Sequence, residues 1–239
     1  MIDITRHIEL FDATTFNTPV HIIGVGATGS WLALFLAKLG ITDITVWDYD
    51  IVEEHNIANQ LFDMEYQTEP SEENKYTGIS SDIGAQKVYA TYRKVFDATG
   101  TGIKTKNEKF TNQRLSGYVF LMVDSMAERK KIWEKAIKMK PYITHLIEPR
   151  MGLDLGRIYN VNPTSLLHIS KYEETFYGDE NAEVSACGAS MTVITTAVLI
   201  ASHCARQLIN HFNNKEPLDN EILIDVAFNN IVTETWELK

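Results

Sequence analysis

Gly24, Gly26 and Gly29 stand in G-x-G-x-x-G spacing directly after the apolar run Val20–Ile23. Asp48 follows 19 residues after Gly29, just past a second apolar run, Ile44–Val46. Glycines at this spacing let the backbone turn tightly and approach a phosphate. The amides and dipole at the start of the next helix favour that negative charge. A carboxylate at the end of the second strand can accept hydrogen bonds from ribose hydroxyls. Together these residues point to nucleotide chemistry, and the pattern alone suits a nicotinamide dinucleotide as well as a mononucleotide.

Further polar residues extend the set. Asp50, Asn56, Asn59 and Gln60 lie in DYDIVEEHNIANQLF, and Lys87 closes DIGAQK. A dehydrogenase has no evident use for a second acid two residues after Asp48, or for Asn and Gln at fixed distances beyond it. A lysine in the first turn of a helix opposes the dipole, which is a physical reason to expect an anion beside it. Asp124 ends the continuous apolar run Tyr118–Val123, which reads as a parallel strand buried on both faces. Ligands bind beyond the carboxyl ends of such strands, although an Asp there could also cap the following helix. Cys187 lies in ACGAS before a long apolar helix. Either the helix start acidifies its thiol for covalent use, or it is a small packed residue. Arg6 reads as a solvated arm residue, and Arg150 as an ion-pair partner of Glu148 or Asp154, or as a second phosphate or substrate contact.

The elements that must position these residues alternate. Val20–Ile23 and Ile44–Val46 flank the amphipathic run Trp31–Leu39. A helix is expected from Lys87 through about Val95, where Val88, Tyr92 and Val95 recur at helical spacing. Ile103–Phe110 reads as an edge-type strand, Tyr118–Val123 and Ile143–Ile147 as buried strands, and Met126–Met139 as helical. Leu155–Val161 continues the strand set after a turn, and Pro163–Asp179 reads as an irregular crossover loop. Alternating residues in Glu221–Leu238 predict a closing hairpin. The fold class is therefore α/β: a Rossmann-like, mostly parallel sheet flanked by helices, with C-terminal antiparallel strands. One domain over 1–239 is expected, with an N-terminal arm at 1–18, a polar loop insertion at 64–81 and closing strands at 221–238.

Composition excludes several function classes. Net charge is −10, from 22 Lys+Arg against 32 Asp+Glu, which argues against a nucleic-acid or anionic-membrane surface. The two cysteines, Cys187 and Cys204, form no C-x-x-C pair, so neither a disulfide framework nor a thiolate zinc site is expected, and Cys204 reads as core. The N-terminus MIDITRHIEL has no signal-peptide pattern, and the apolar stretch Met191–Ser202 is too short to span a bilayer. A soluble cytoplasmic protein is expected.

D-x-D-x-V from Asp48 to Val52, followed by N-x-x-x-Q from Asn56 to Gln60, resembles the nucleotide-binding segment of the ThiF/MoeB/HesA family, bacterial relatives of ubiquitin-activating enzymes. The resemblance runs in order through the glycine loop, these motifs, Lys87, the Asp124/Arg129 spacing, Cys187 and the closing strands. It implies ATP- and magnesium-dependent adenylation of the C-terminal carboxylate of a ubiquitin-like or sulfur-carrier protein or a peptide, with release of pyrophosphate. On this resemblance Gly24, Gly26 and Gly29 admit the nucleotide and Asp48 binds ribose. Asp50 belongs to the same segment, Asn56, Gln60 and Lys87 contact phosphates, and Asp124 holds Mg2+. Cys187 matches a cysteine that some members acylate. Arg6 matches, loosely, an arginine inserted into the neighbouring subunit's ATP site, which implies a homodimer.

The sequence departs from the family at two points. Asn59 stands where the family has an arginine, and loss of such a cation can weaken transition-state stabilisation; Arg6, Lys75 or Arg150 is a possible substitute. The family's zinc-binding C-x-x-C pairs are absent, so no zinc is expected. Two other functions stay open at this point: a NAD-dependent oxidoreductase, and a catalytically idle nucleotide-binding or scaffold member.

Overall fold

The structure is a computed structural model describing residues 2–67, 79–178, 191–215 and 218–236. Its centre is an eight-stranded sheet. The strands are β1 (Val20–Ile23), β2 (Ile44–Asp48), β5 (Lys104–Asn107), β6 (Gly117–Leu121), β7 (Ile143–Met151), β8 (Leu155–Val161), β9 (Glu221–Asp225) and β10 (Asn230–Glu234). They lie in the order β10-β9-β8-β7-β6-β1-β2-β5. The pairs β5/β2, β2/β1, β1/β6 and β6/β7 are parallel, while β7/β8, β8/β9 and β9/β10 are antiparallel. The Rossmann-like sheet with antiparallel C-terminal strands is thus as expected. Two short strands, β3 (Tyr66–Gln67) and β4 (Ile79–Ser80), pair with each other at the base of the predicted 64–81 insertion.

The parallel strands inside the sheet read as largely apolar runs because both faces are covered, whereas the edge strand β5, KTKN, is polar and mostly exposed. Alternate residues divide between two cores. Ile22, Val46 and Phe120 join α1 (Ala27–Lys38), α2 (Lys87–Thr99) and α5 (Ile194–Phe212) on one face. Ile23, Trp47, Val119 and Leu121 join α3 (Met126–Ile132), a π-helical turn at Trp133–Ile137 and α4 (Leu166–Glu174) on the other. Cys204 is fully buried in the first core, as expected. At Gly156 a Cβ would stand 2.0 Å from Cδ1 of Ile200, so the bare backbone of β8 is what lets α5 lie against it. The opposite face of β8, β9 and β10 carries Leu155, Arg157, Leu223 and Val232, none of them buried, and is open.

Pro163–Asp179 is not wholly irregular, since α4 occupies Leu166–Glu174. Its inward side rests on only two buried residues, Ile169 and Tyr172, and Leu166 at its start is exposed, so the helical period is faint in sequence. Tertiary burial of Tyr172 against Trp133, with ring centroids 4.7 Å apart, and a Ser165 N-cap on the His168 amide supply what the pattern lacks.

Candidate active site

The site is built where β1, β2, β6 and β7 end. Gly24 has φ +95°, and a Cβ there would lie 2.8 Å from the Met122 carbonyl oxygen. At Gly29 a Cβ would lie 2.0 Å from the Gly24 oxygen, so this glycine lets α1 pack on its own loop. Gly26 differs: a Cβ there would meet nothing within 4 Å. Its missing side chain leaves open space in the cleft, a cradle for a ligand and not a packing need. No side chain caps α1 and its first turn holds no acid, so its first amides and dipole are available to an anion.

Asp48 closes the loop from below. Its Oδ2 accepts from the Val25 amide at 2.8 Å and its Oδ1 from the Asp50 amide at 2.9 Å. Burial raises its carboxyl above the ordinary value, and these two amides offset part of that rise. Lys87 begins α2, with its Nζ 3.2 Å from Oδ2 of Asp50. Asn56 is buried and accepts the Glu53 amide at 2.9 Å, closing a short 3-10 turn at Glu54–Asn56. Gln60 is buried with its Oε1 unpartnered among the described residues. Asn59, at the family's arginine position, donates through Nδ2 to Oγ1 of Thr192, and its backbone oxygen accepts from Nε1 of Trp31 at 3.2 Å. The Asn59–Thr192 link had no sequence signal, since the two lie 133 residues apart.

Asp124 is exposed at the end of β6. The N-cap of α3 is Ser125, whose Oγ accepts the Glu128 amide at 3.3 Å, so Asp124 is released from the capping role open to it in sequence. Asp48, Asp50, Asn56, Asn59, Gln60, Lys87 and Asp124 line the same cleft as Gly24 and Gly26. Its volume is about 1670 Å³, beyond the ~300–1,000 Å³ usual for a small-molecule pocket, and it runs on over the open face of β8 and β9 past Arg157 and Leu223.

One predicted site residue stands apart. Arg6 is exposed beside the C-terminal end of α1, where its neighbour His7 meets the Leu39 carbonyl at 3.3 Å. The length of α1, about 18 Å by helix geometry, separates it from its own glycine loop. Cys187 and Lys75 lie outside the described residues. Arg150 does pair with Glu148, at 3.0 Å, but Arg129 shares that carboxylate at 2.6 Å, an arrangement absent from the sequence-based expectations.

The open space at Gly26, the uncapped α1 amides and the Asp48 carboxylate fit a nucleotide. No group of three or more His, Cys, Asp or Glu residues among the described residues could hold a metal. A single carboxylate such as Asp124 fits a magnesium ion that is also held by phosphates, the usual way this ion binds. Among the described residues no helix is long and apolar enough to cross a membrane.

A family model described as ThiF family matches residues 8–237. No curated protein matches the sequence. Among solved structures, selenomethionine PaaA is 16% identical with a TM-score of 0.65, covering 93% of this chain and 65% of its own. Escherichia coli MccB with ATP is 15% identical with a TM-score of 0.64, covering 97% of this chain and 68% of its own. E. coli MccB with AMPCPP and MccA is 15% identical with a TM-score of 0.61, covering 93% and 65%. At such identities the likeness establishes the fold, and the chain spans about two thirds of the length of these structures.

Proposed function

We propose that this chain, which belongs to the ThiF family, uses ATP and magnesium to adenylate the C-terminal carboxylate of a peptide or small carrier protein, ubiquitin-like or sulfur-carrying, releasing pyrophosphate. One observation carries the reading. Asp50, Asn56, Gln60, Lys87 and Asp124, which a dinucleotide would not require, converge on the cleft that holds the glycine loop. The MccB structures containing ATP, and AMPCPP with MccA, support a nucleotide beside a second substrate in this fold.

A carboxylate is a poor electrophile, and joining it to AMP provides a good leaving group. The chain's task is to orient the two reactants and balance phosphate charge. The α1 amides and Gly26 receive phosphate, Asp48 holds the ribose hydroxyls, and Lys87 turns from Asp50 toward the phosphates. Asn56 and Gln60 line the same end. Asp124 would hold magnesium, which when bound neutralises phosphate charge. The remaining cleft, over β8 and β9, admits an extended acyl chain. Arg6 would act only across a homodimer, in the partner's site, and covalent use of Cys187 would follow adenylation.

Calorimetric titration with ATP·Mg2+, NAD+ and NADH tests the reading. ATP binding at one site per subunit supports it, and NAD binding without ATP binding replaces it with an oxidoreductase. A second reading, a nucleotide-holding scaffold, is favoured by one feature, the tether of Asn59 to Thr192 in place of a free cation. Pyrophosphate release with the cognate peptide separates the two.

A further inference from the structure

Three ions are buried beneath the cleft where β6 and β7 end. The side chains of Arg129, Glu148 and Arg150 are 5%, 0% and 8% exposed. Nε of Arg129 lies 2.6 Å from Oε1 of Glu148, as an ion pair outside hydrogen-bond alignment. Nε of Arg150 donates to both oxygens of the same carboxylate, at 3.2 and 3.0 Å, and the Tyr172 hydroxyl donates to Oε2 at 3.0 Å. One carboxylate thus serves two guanidiniums, and the cluster carries one net positive charge.

That excess is local to this point. Lys87, Lys109, Arg157 and Lys171, the other described lysines and arginines on the cleft, are each paired with their own acid. Asp124 and Asp154 are exposed, and neither forms an ion pair with Arg129 or Arg150 among the described residues. A buried charge without a counter-charge is costly. Here carbonyls and an aromatic face offset part of that cost. Val123 and Thr175 accept from Arg129 and Arg150 at 2.5 and 2.7 Å, and the Tyr159 ring centroid is 4.5 Å from the Arg150 guanidinium carbon.

Arg129 and Arg150 are among the residues that line the cleft and Glu148 is not. Nη1 of Arg129 makes no hydrogen bond to a described residue. We propose that the Arg129–Glu148–Arg150 cluster is an oxyanion-binding pole, taking one charged oxygen group: the carboxylate of an acyl substrate or a phosphate of the nucleotide. Nη1 of Arg129 is the donor left for such a group, while Arg150, whose Nε, Nη1 and Nη2 already donate to Glu148 and Thr175, contributes charge. The pole stands on the β7 side of the glycine loop, toward the open face of β8 and β9, while Lys87 and Gln60 hold the other side. It provides a positive charge that Asn59 does not. The inference deepens the adenylation reading and rests on it only for the identity of the two anion sources.

The test uses the full chain with inorganic pyrophosphate, N-acetylglycine and N-acetylglycinamide as probes, titrated calorimetrically or by NMR, with Tm measured alongside. Arg150→Met leaves a neutral Arg129–Glu148 pair and should weaken anion binding roughly tenfold or more. Glu148→Gln raises the net charge and should strengthen binding of the same anion while lowering Tm. A purely structural cluster would lose both together. The affinity order Glu148→Gln above wild type above Arg150→Met supports the pole, and any other order overturns it. If Glu148→Gln does not fold, Arg150→Lys must bind more tightly than Arg150→Met. A charge-dependent response confined to pyrophosphate assigns phosphate as the source; one confined to N-acetylglycine, without its amide, assigns carboxylate. Failure of wild type to bind either anion removes the proposal. ATP·Mg2+ and NAD+ titrations on the same samples report on the adenylation reading separately.

Discussion

Nζ of Lys87 and Oδ2 of Asp50 stand 3.2 Å apart at the N-terminus of α2, the lysine side chain 10% exposed and the carboxylate 50%. A cation at a helix start opposes the dipole, and Asp50 balances it until a stronger anion arrives. Lys87→Met should therefore lower ATP·Mg2+ affinity by about 1.5–3 kcal/mol, roughly 10- to 150-fold. Because Asp50 is half open to water and stays hydrated when its partner is removed, the same change should move stability by only about 0–1 kcal/mol. Calorimetry and a thermal melt of one variant check both statements.

Asp124 is exposed and leaves the α3 cap to Ser125, so the fold does not depend on it. Asp124→Ala should abolish magnesium-dependent adenylation while shifting stability by no more than about 0.5 kcal/mol. Pyrophosphate exchange in the presence of the peptide substrate measures the first effect. Normal adenylation by this variant would remove the proposed metal role.

The glycines of the loop should separate by phenotype. Gly29→Ala puts a Cβ 2.0 Å from the Gly24 oxygen, and the strand–helix junction must move. A loss of about 1–3 kcal/mol is expected, which for a chain of this size lowers Tm by several degrees. Gly26→Ala meets no protein atom within 4 Å, so it should cost less stability and chiefly obstruct nucleotide binding. Melting and ATP titration of the two variants give a crossed pattern if the cleft is the nucleotide site.

His145 sets an acid limit on stability. It is buried, neither ring nitrogen has a hydrogen-bond partner among the described residues, and its ring lies 4.1 Å from that of His211. Burial first, then the charges of His211 and His168, pushes its pKa well below 6.5, and the neighbouring Asn160 offsets part of this. Above pH 6.5 neither folded nor unfolded chain binds this proton. As pH falls below 6.5 the unfolded chain takes it up and the folded chain does not, so stability declines by up to about 1.4 kcal/mol per pH unit until the folded pKa is reached. His21, His168 and His203 shift in the same direction and add to the slope. Denaturant melts at pH 7.5 and 5.5 should show the decline, and His145→Phe should make it shallower.

Much of the fold was legible because its signals are local. Apolar runs mark strands buried on both faces, as at Tyr118–Leu121, and a glycine loop marks the turn between a strand and a helix. Helix α4 is not legible in the sequence because its burial rests on partners such as Trp133, more than thirty residues away in the chain. Gly24, Gly26, Asp48 and Lys87 on this cleft could likewise be read from spacing, since each ends or directly follows a strand, or precedes or opens a helix, whereas Asn56, Asn59 and Gln60 lie in a 3-10 turn and the bend after it.

The sequence by itself determined which groups the cleft could contain and in what order the strands would carry them. Only the tertiary structure decided how those groups are partnered. It gave the Asp48 carboxylate to the Val25 and Asp50 amides, tied Asn59 to Thr192 and left Gly26 facing open space. It also set Arg129 and Arg150 on a single buried Glu148. The reason is physical: strand and helix formation depend on neighbours a few residues apart, whereas charge balance and burial depend on which strand ends the sheet order brings together.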